Sequence, residues 1–306
     1  MEDRTKYLGG TDCAAILRLS RYKSPLQVWM EKTGYPMEDI SHKLAVKLGL
    51  KLEQAVAELF EEETGKKVHR VNETVFHKKY DFLAANLDRK VEGEKAVLEC
   101  KTTSAFRASE FKEDEMPGEY IFQCLHYLMV TGYDKAYLAV LIGNQDFKWI
   151  TIDRDDQKLK DLEKREVAWW EKYIIRGVMP TEVMAQDDEA LQTLYPHEKI
   201  LQEIPLGDEA SILFENLQAY EQDKFILEKE IDEAKNRLKQ MIAENDCGTT
   251  DLYRATWKYQ ESIRVDSKKL KANHPKIYDK CSNKSSTRVF RWNPINKEAK
   301  QNGNSK

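Results

Sequence analysis

A chain of 306 residues has room for one dominant core of about 100–200 residues plus something extra. Its composition, 41% apolar and 33% charged, is that of a globular protein with a well-solvated surface, and no apolar run approaches the roughly 20 residues that a membrane helix needs. The opening MEDRTKYLGG lacks the apolar stretch of a signal peptide, and five cysteines scattered without a CxxC pair argue against a disulfide framework, a zinc site or an iron–sulfur cluster. A cytosolic protein with no membrane partner is expected. The net charge of −4 hides an asymmetry: 14 basic against 5 acidic residues in 251–306 make +9, which leaves −13 for residues 1–250. The basic end is a candidate contact for DNA or an acidic partner, and a mildly acidic total does not exclude nucleic acid, because binding follows the local field.

In chain order, apolar spacing predicts amphipathic helices over residues 11–19 and 43–64, the second stopped by Gly65. Residues 68–76, 82–91 and 96–103 read as strands, the last two joined into a hairpin by Glu92-Gly93-Glu94-Lys95. Pro117 and Gly118 precede a helix over 120–131 that Gly132 closes. Apolar, β-rich runs at 136–142 and 147–152 predict a second hairpin, and 155–176 a long helix ended by Gly177 and Pro180. Residues 181–205, with two prolines, read as a linker leaving the core. From Leu213 to Met241 the apolar residues recur in alternating steps of four and three, interrupted by Lys224, which is heptad spacing. That predicts a coiled coil or helical arm over 206–246, lying on the core or protruding from it. A small basic region with a hairpin follows over 247–292, then a frayed polar tail over 293–306.

The chemistry concentrates on the first hairpin. Asp88 stands eleven positions before Glu99-Cys100-Lys101, and Glu99 and Lys101, two apart on one strand, face the same side. Asp88 and Glu99 offer hard oxygen ligands to magnesium, with the Cys100 main-chain carbonyl beside them. Lys101 is then placed to orient or deprotonate an attacking water, with a pKa expected to be lowered near a metal. A D…ExK pattern alone is common in a chain this charged. Its context is less so: Gly49 stands four residues before Glu53 on a helix upstream, and Gln123 and Tyr127, at i and i+4, share one face of a helix downstream.

The order GxxxE, D, ExK, QxxxY resembles the PD-(D/E)xK nucleases of the RecB type. The stretches from Gly9 to Leu17 and Lys23 to Trp29, with Trp170, Gly177 and Pro180, are similar to the YqaJ-type viral recombinases, relatives of lambda exonuclease. The resemblance implies an α/β fold: a restriction-endonuclease-like core over residues 1–180 with a mixed central sheet flanked by helices, and the helical arm and small β-rich end beyond it. It implies a magnesium-dependent 5′→3′ exonuclease on linear duplex DNA, with two ions, manganese as a substitute, and 3′ overhangs left for single-strand annealing. The implied partners are double-stranded DNA ends, two further copies in a toroidal homotrimer, and an annealing protein; the implied location is a bacterial host's cytoplasm. Glu53, Asp88, Glu99 and the Cys100 carbonyl would hold metal, Lys101 and Gln123 would serve the water, and Tyr127 would support them.

The same resemblance assigns a terminal 5′-phosphate to Arg4, Thr11 and Asn86, a trio whose guanidinium and hydrogen-bonding groups suit that anion. Three departures accompany it: threonine in place of serine at 11, Leu87 where the motif carries proline, and an amide at Asn86. Two other readings share the sequence features. One is a PD-(D/E)xK endonuclease, and the other a catalytically inactive DNA-binding or scaffold protein built on the heptads and the basic end.

Overall fold

The computed structural model describes residues 3–112, 115–198, 203–284 and 286–294, and the chain divides into two units, residues 1–196 and 197–306. The expected tail over 293–306 lies almost entirely outside the described residues.

The first unit opens with a 3-10 turn at Arg4–Lys6 and three helices: α1 (Gly10–Ile16), α2 (Pro25–Lys32) and α3 (Leu44–Thr64). Helix α1 is shorter than the 11–19 expected, because Arg18 takes a left-handed φ of 64° that ends the run. Helix α2 starts where Ser24 accepts from the Gln27 N–H and the Gln27 side chain returns the bond, a reciprocal cap ahead of Pro25. Helix α3 stops at Gly65, whose φ of 69° suits a residue without Cβ.

Strands β1 (Val68–Arg70), β2 (Thr74–Phe76), β3 (Ala84–Asn86), β4 (Arg89–Val91) and β5 (Ala96–Thr103) follow. The spans 68–76 and 82–91, expected as single strands, are each broken in two. The reason is tertiary: β1 pairs with β4, while β2 pairs with β3 in a separate two-stranded sheet, so both segments change sheets together. Asp88 sits at that break. The β4–β5 hairpin is formed, with Arg89 opposite Leu98 and Gly93 at φ 74° in its turn.

Helix α4 (Gly118–Thr131) crosses over to β6 (Lys135–Ile142), which runs parallel to β5 and pairs antiparallel with β7 (Asp146–Asp153). The central sheet is therefore five-stranded and mixed, in the order β1-β4-β5-β6-β7, with helices packed against it. Side chains alternate across β5. Leu98 and Cys100 join the apolar cluster built on Phe60 of α3, whereas Val97 joins the larger cluster containing Leu128 of α4. Helix α5 (Asp156–Trp170) closes that second face and unwinds into a π-helical turn at Glu171–Ile175.

Residues 181–196 do not leave the core as a linker. A 3-10 turn at Ala185–Asp187 and helix α6 (Asp188–Leu194) pack on it: Ala190 is buried, and Asp187, also buried, accepts from the Ser24 hydroxyl at 2.5 Å. The second unit consists of α7 (Gly207–Ile242), a hairpin of β8 (Cys247–Thr249) and β9 (Arg254–Thr256), and the short helices α8 (Ser267–Asn273) and α9 (Pro275–Cys281). Among the described residues no helix is long and apolar enough to cross a membrane.

Candidate functional site

The sheet change at Asp88 and the alternation along β5 bring Asp88, Glu99 and Lys101 together. Asp88 Oδ2 accepts the Cys100 backbone N–H at 2.9 Å, which ties the break after β3 to the middle of β5. Glu99, only 2% exposed, is turned toward α4, where Gln123 Nε2 donates to its Oε1 at 2.6 Å and the Lys101 ammonium lies 2.6 Å from the same oxygen. Gln123 also donates to the Tyr127 hydroxyl at 2.7 Å, so the i, i+4 pair does share one face of α4 and points at the carboxylates. The other oxygen of Glu99, Oε2, is buried and has no hydrogen-bond partner among the described residues.

Glu53 reaches the same centre from α3 through Arg89. That guanidinium, 2% exposed at the start of β4, forms an ion pair with Glu53, donates to Gln54 Oε1 at 3.1 Å, and donates to the Asp88 carbonyl at 2.8 Å. Arg89 was not among the expected site residues. An arginine beside the motif aspartate, with Glu53-Gln54 able to receive a two-pronged donor, was the available signal.

Electrostatics mark the cluster as short of positive charge. Burial first, and then the neighbouring Glu99 carboxylate, push Asp88 well above the usual carboxylate range. For Lys101 the outcome is the reverse of the lowered pKa expected from the sequence. Burial acts to lower it, but the Glu99 carboxylate, by charge and by hydrogen bond, outweighs that and raises it. A lysine whose nearest counter-charge is a buried carboxylate keeps its proton.

Three acidic side chains with an unpartnered buried oxygen fit a hard divalent cation. Among the described residues, the group whose three ligand atoms all lie within 4.8 Å of one another is a different one, Cys13, His126 and Glu166. There, His126 Nδ1 is 2.9 Å from the Glu166 carboxylate and Nε2 is 3.0 Å from the Ala84 carbonyl, so both ring nitrogens are engaged and buried. Its geometry is that of a buried ion pair joining α4, α5 and β3.

Two features of the N-terminal signature acquire physical reasons. A Cβ on Gly10 would stand 2.7 Å from the Tyr127 ring and 2.8 Å from Gln123 Cγ, so α1 approaches α4 this closely only with glycine there. Asp12, buried one turn into the chain's first helix, sits 2.7 Å from both Lys23 and Lys32. Burial acts against its charge, but those two ammonium groups depress its pKa. Lys32 also donates to the Arg4 carbonyl at 2.7 Å, which fastens the N-terminal turn.

The proposed phosphate trio is not assembled in the same way. Asn86 is engaged on both sides, its Nδ2 donating to the Tyr7 hydroxyl at 3.0 Å and its Oδ1 accepting from Thr74 at 2.8 Å. Thr11 and Arg4 are exposed, and no hydrogen bond or ion pair joins the three among the described residues.

Residues 1–134 match the model of the YqaJ-like viral recombinase domain. Over 294 residues, 94% of this chain and 91% of the relative, the sequence is 36% identical to the uncharacterized protein YqaJ of Bacillus subtilis strain 168. Among solved structures it is similar to an alkaline exonuclease, LHK-Exo, from Laribacter hongkongensis, with a TM-score of 0.46 and 16% identity, covering 56% of this chain and 90% of that one. A phage-related exonuclease from Haemophilus somnus 129PT gives a TM-score of 0.41 and 16% identity, covering 55% of this chain and 92% of that one.

Proposed function

This chain belongs to the family of YqaJ-like viral recombinases, and on that basis we propose that it is a magnesium-dependent deoxyribonuclease that digests linear duplex DNA from its 5′ ends and leaves 3′ overhangs. The observation that carries the proposal is Glu99: a carboxylate 2% exposed, with one oxygen unpartnered, beside Asp88 and Lys101. Most buried carboxylate oxygens have a hydrogen-bond partner.

Asp88, Glu99 and Glu53 would hold the metal, together with the Cys100 carbonyl, and a bound divalent ion there supplies Lewis-acid stabilisation of the phosphodiester and a more acidic water. The protein's own groups do the rest. Arg89 ties the Glu53 side chain of α3 to the Asp88 main chain just before β4, which keeps these two acidic residues in one neighbourhood. Gln123, held by Tyr127, orients Glu99. Lys101, once released from Glu99, is left to orient the attacking water and take part in its proton transfer. Arg4, Thr11 and Asn86 are proposed to meet the 5′-phosphate, which requires Asn86 to exchange its bonds to Tyr7 and Thr74 for the anion. A closed homotrimer and an annealing protein that receives the overhang complete the reading.

The test is digestion of end-labelled linear duplex with magnesium, comparing 5′-phosphate with 5′-hydroxyl ends and with closed circular DNA. Mononucleotide release from 5′-phosphorylated linear DNA is expected, with circles left intact. Cutting of circles would point instead to an endonuclease, and salt-sensitive binding with no digestion to a DNA-binding scaffold.

A further inference from the structure

Helix α7 is 36 residues long, about 54 Å at 1.5 Å per residue, and Ile242 at its end is its one buried residue. The heptad seam along it is open to solvent, with Leu227 57% and Ile231 50% exposed at its centre. Helices gain most of their stability by packing an apolar face, and a stripe with a period of 3.5 residues is shaped for another helix.

Charge identifies which helix. With Leu227 at heptad position d and Ile231 at a, the charged e and g positions are acidic at Glu221 and Asp223, acidic at Glu228 and Glu230 about the centre, and basic at Lys235 and Arg237, while Phe214 and Asn216 at the start carry no charge. A sequence that changes sign along its own length complements itself better when reversed. We propose that α7 pairs antiparallel with α7 of a second copy of this chain, about a two-fold axis near Lys229.

In that register Leu227 faces the partner's Ile231, and Tyr220 faces the partner's Leu238. Lys224, the one charge in the seam, meets the partner's Ala234, a residue small enough to let the lysine stem lie along it with the ammonium in water. Glu221 stands against the partner's Lys235, and Asp223 against the partner's Arg237. Only Glu228 and Glu230 meet their own copies. A parallel pair would instead set Lys224 on the partner's Lys224 and Asp223 beside the partner's Glu228, both repulsive, and would keep one attractive contact, Glu230 with the partner's Lys235, where the antiparallel pair keeps two. The ion pairs that Lys224 and Lys235 make within the helix, to Glu228 at 3.7 Å and Asp232 at 3.6 Å, are exposed and weak enough to exchange. Phe225 and Ile226 fall at b and c, outside the seam, and take no part. The pairing is independent of the nuclease reading.

Sedimentation of the full-length chain tests it through two charge-reversed variants, K235E/R237E and E221K/D223K, with circular dichroism as the control for helix content. Wild type self-associates. Each variant alone is expected to self-associate about tenfold or more weakly, and an equimolar mixture of the two to regain wild-type affinity, because each reversed arm then faces its opposite. Tighter self-association of E221K/D223K alone would indicate a parallel pair, since reversal at 223 would then attract Glu228, and would overturn the proposal. So would a monomeric wild type, or sedimentation that neither variant changes.

Discussion

Replacing Lys101 with methionine separates the two things that residue does. Its ammonium, 2.6 Å from Glu99, is the ion-pair partner of a carboxylate that is 2% exposed. Removing one member of a buried pair costs about 3–5 kcal/mol when the other is left charged. Here the lysine side chain is 21% exposed, so solvent screening reduces that cost, and about 2–3 kcal/mol is expected without divalent metal. In a domain of 150–250 residues that lowers Tm by about 4–12 °C. Magnesium should then stabilise Lys101→Met more than wild type, because in wild type the ion shares the Glu99 carboxylate with the ammonium on its other oxygen, and in the variant that competing charge is gone. Thermal melts of both proteins, in chelator and in saturating magnesium, measure the difference, and nuclease assays on the same samples should find the variant inactive. A variant that melts like wild type in chelator, or gains no more from magnesium, would refute the reasoning that Lys101 and the cation compete for one carboxylate.

Three further outcomes follow from contacts around that centre. Gly10→Ala should cost about 1–3 kcal/mol and depress activity while the fold persists, since its methyl displaces Gln123 and Tyr127; unchanged melting and turnover would contradict the close approach. Arg89→Met should lower activity or magnesium affinity by about 10–100-fold, and Arg89→Lys should recover little of it, because one ammonium cannot span Glu53, Gln54 and the Asp88 carbonyl; full activity in either variant would remove Arg89 from the site's support. The third concerns pH. Burial opposes the charge on His126, but the Glu166 carboxylate outweighs it and holds the imidazole pKa above its ordinary 6.5. Stability from that pair is therefore complete below 6.5 and lost as pH rises through the folded value. The advantage of wild type over a His126→Gln/Glu166→Gln double variant, measured by urea melts, should shrink as pH rises above 6.5, and an advantage independent of pH would sink the account.

Much of this arrangement is legible before folding is considered, and the parts that are not share one cause. Strand β5 has the expected 96–103 bounds, because a β-rich run closed by a glycine turn is a local signal. Glu99, Lys101, Gln123 and Tyr127 meet because strand and helix periodicities fix which residues share a face. The break at Asp88 is invisible locally, since no proline or glycine interrupts residues 82–91 and only the exchange of partners between β1 and β2 splits them. Arg89 escapes notice for the same reason: next to a motif aspartate an arginine reads as a solvated surface charge, and its burial depends on α3 arriving from 36 residues upstream. Residues 181–196 look like a linker by composition, yet Asp187 finds Ser24 across the fold. The raised pKa of Lys101 depends on a distance that no spacing rule supplies.

The antiparallel arms and the proposed ring together constrain the assembly. A homotrimer has a three-fold axis, and an antiparallel helix pair has a two-fold axis perpendicular to its helices; the three arms of one ring cannot all pair among themselves, because the number is odd and each pair needs that second axis. If both hold, arms join copies from different rings, and the smallest closed assembly has dihedral symmetry with about six copies. Sedimentation of the two charge-reversed α7 variants then has a definite meaning: each alone should fall to a trimer and not to a monomer, and mixing them should restore the larger species. A fall to monomer would mean that the arms, and not the nuclease units, hold the copies together, and the ring would have to be given up while the helix pairing stood.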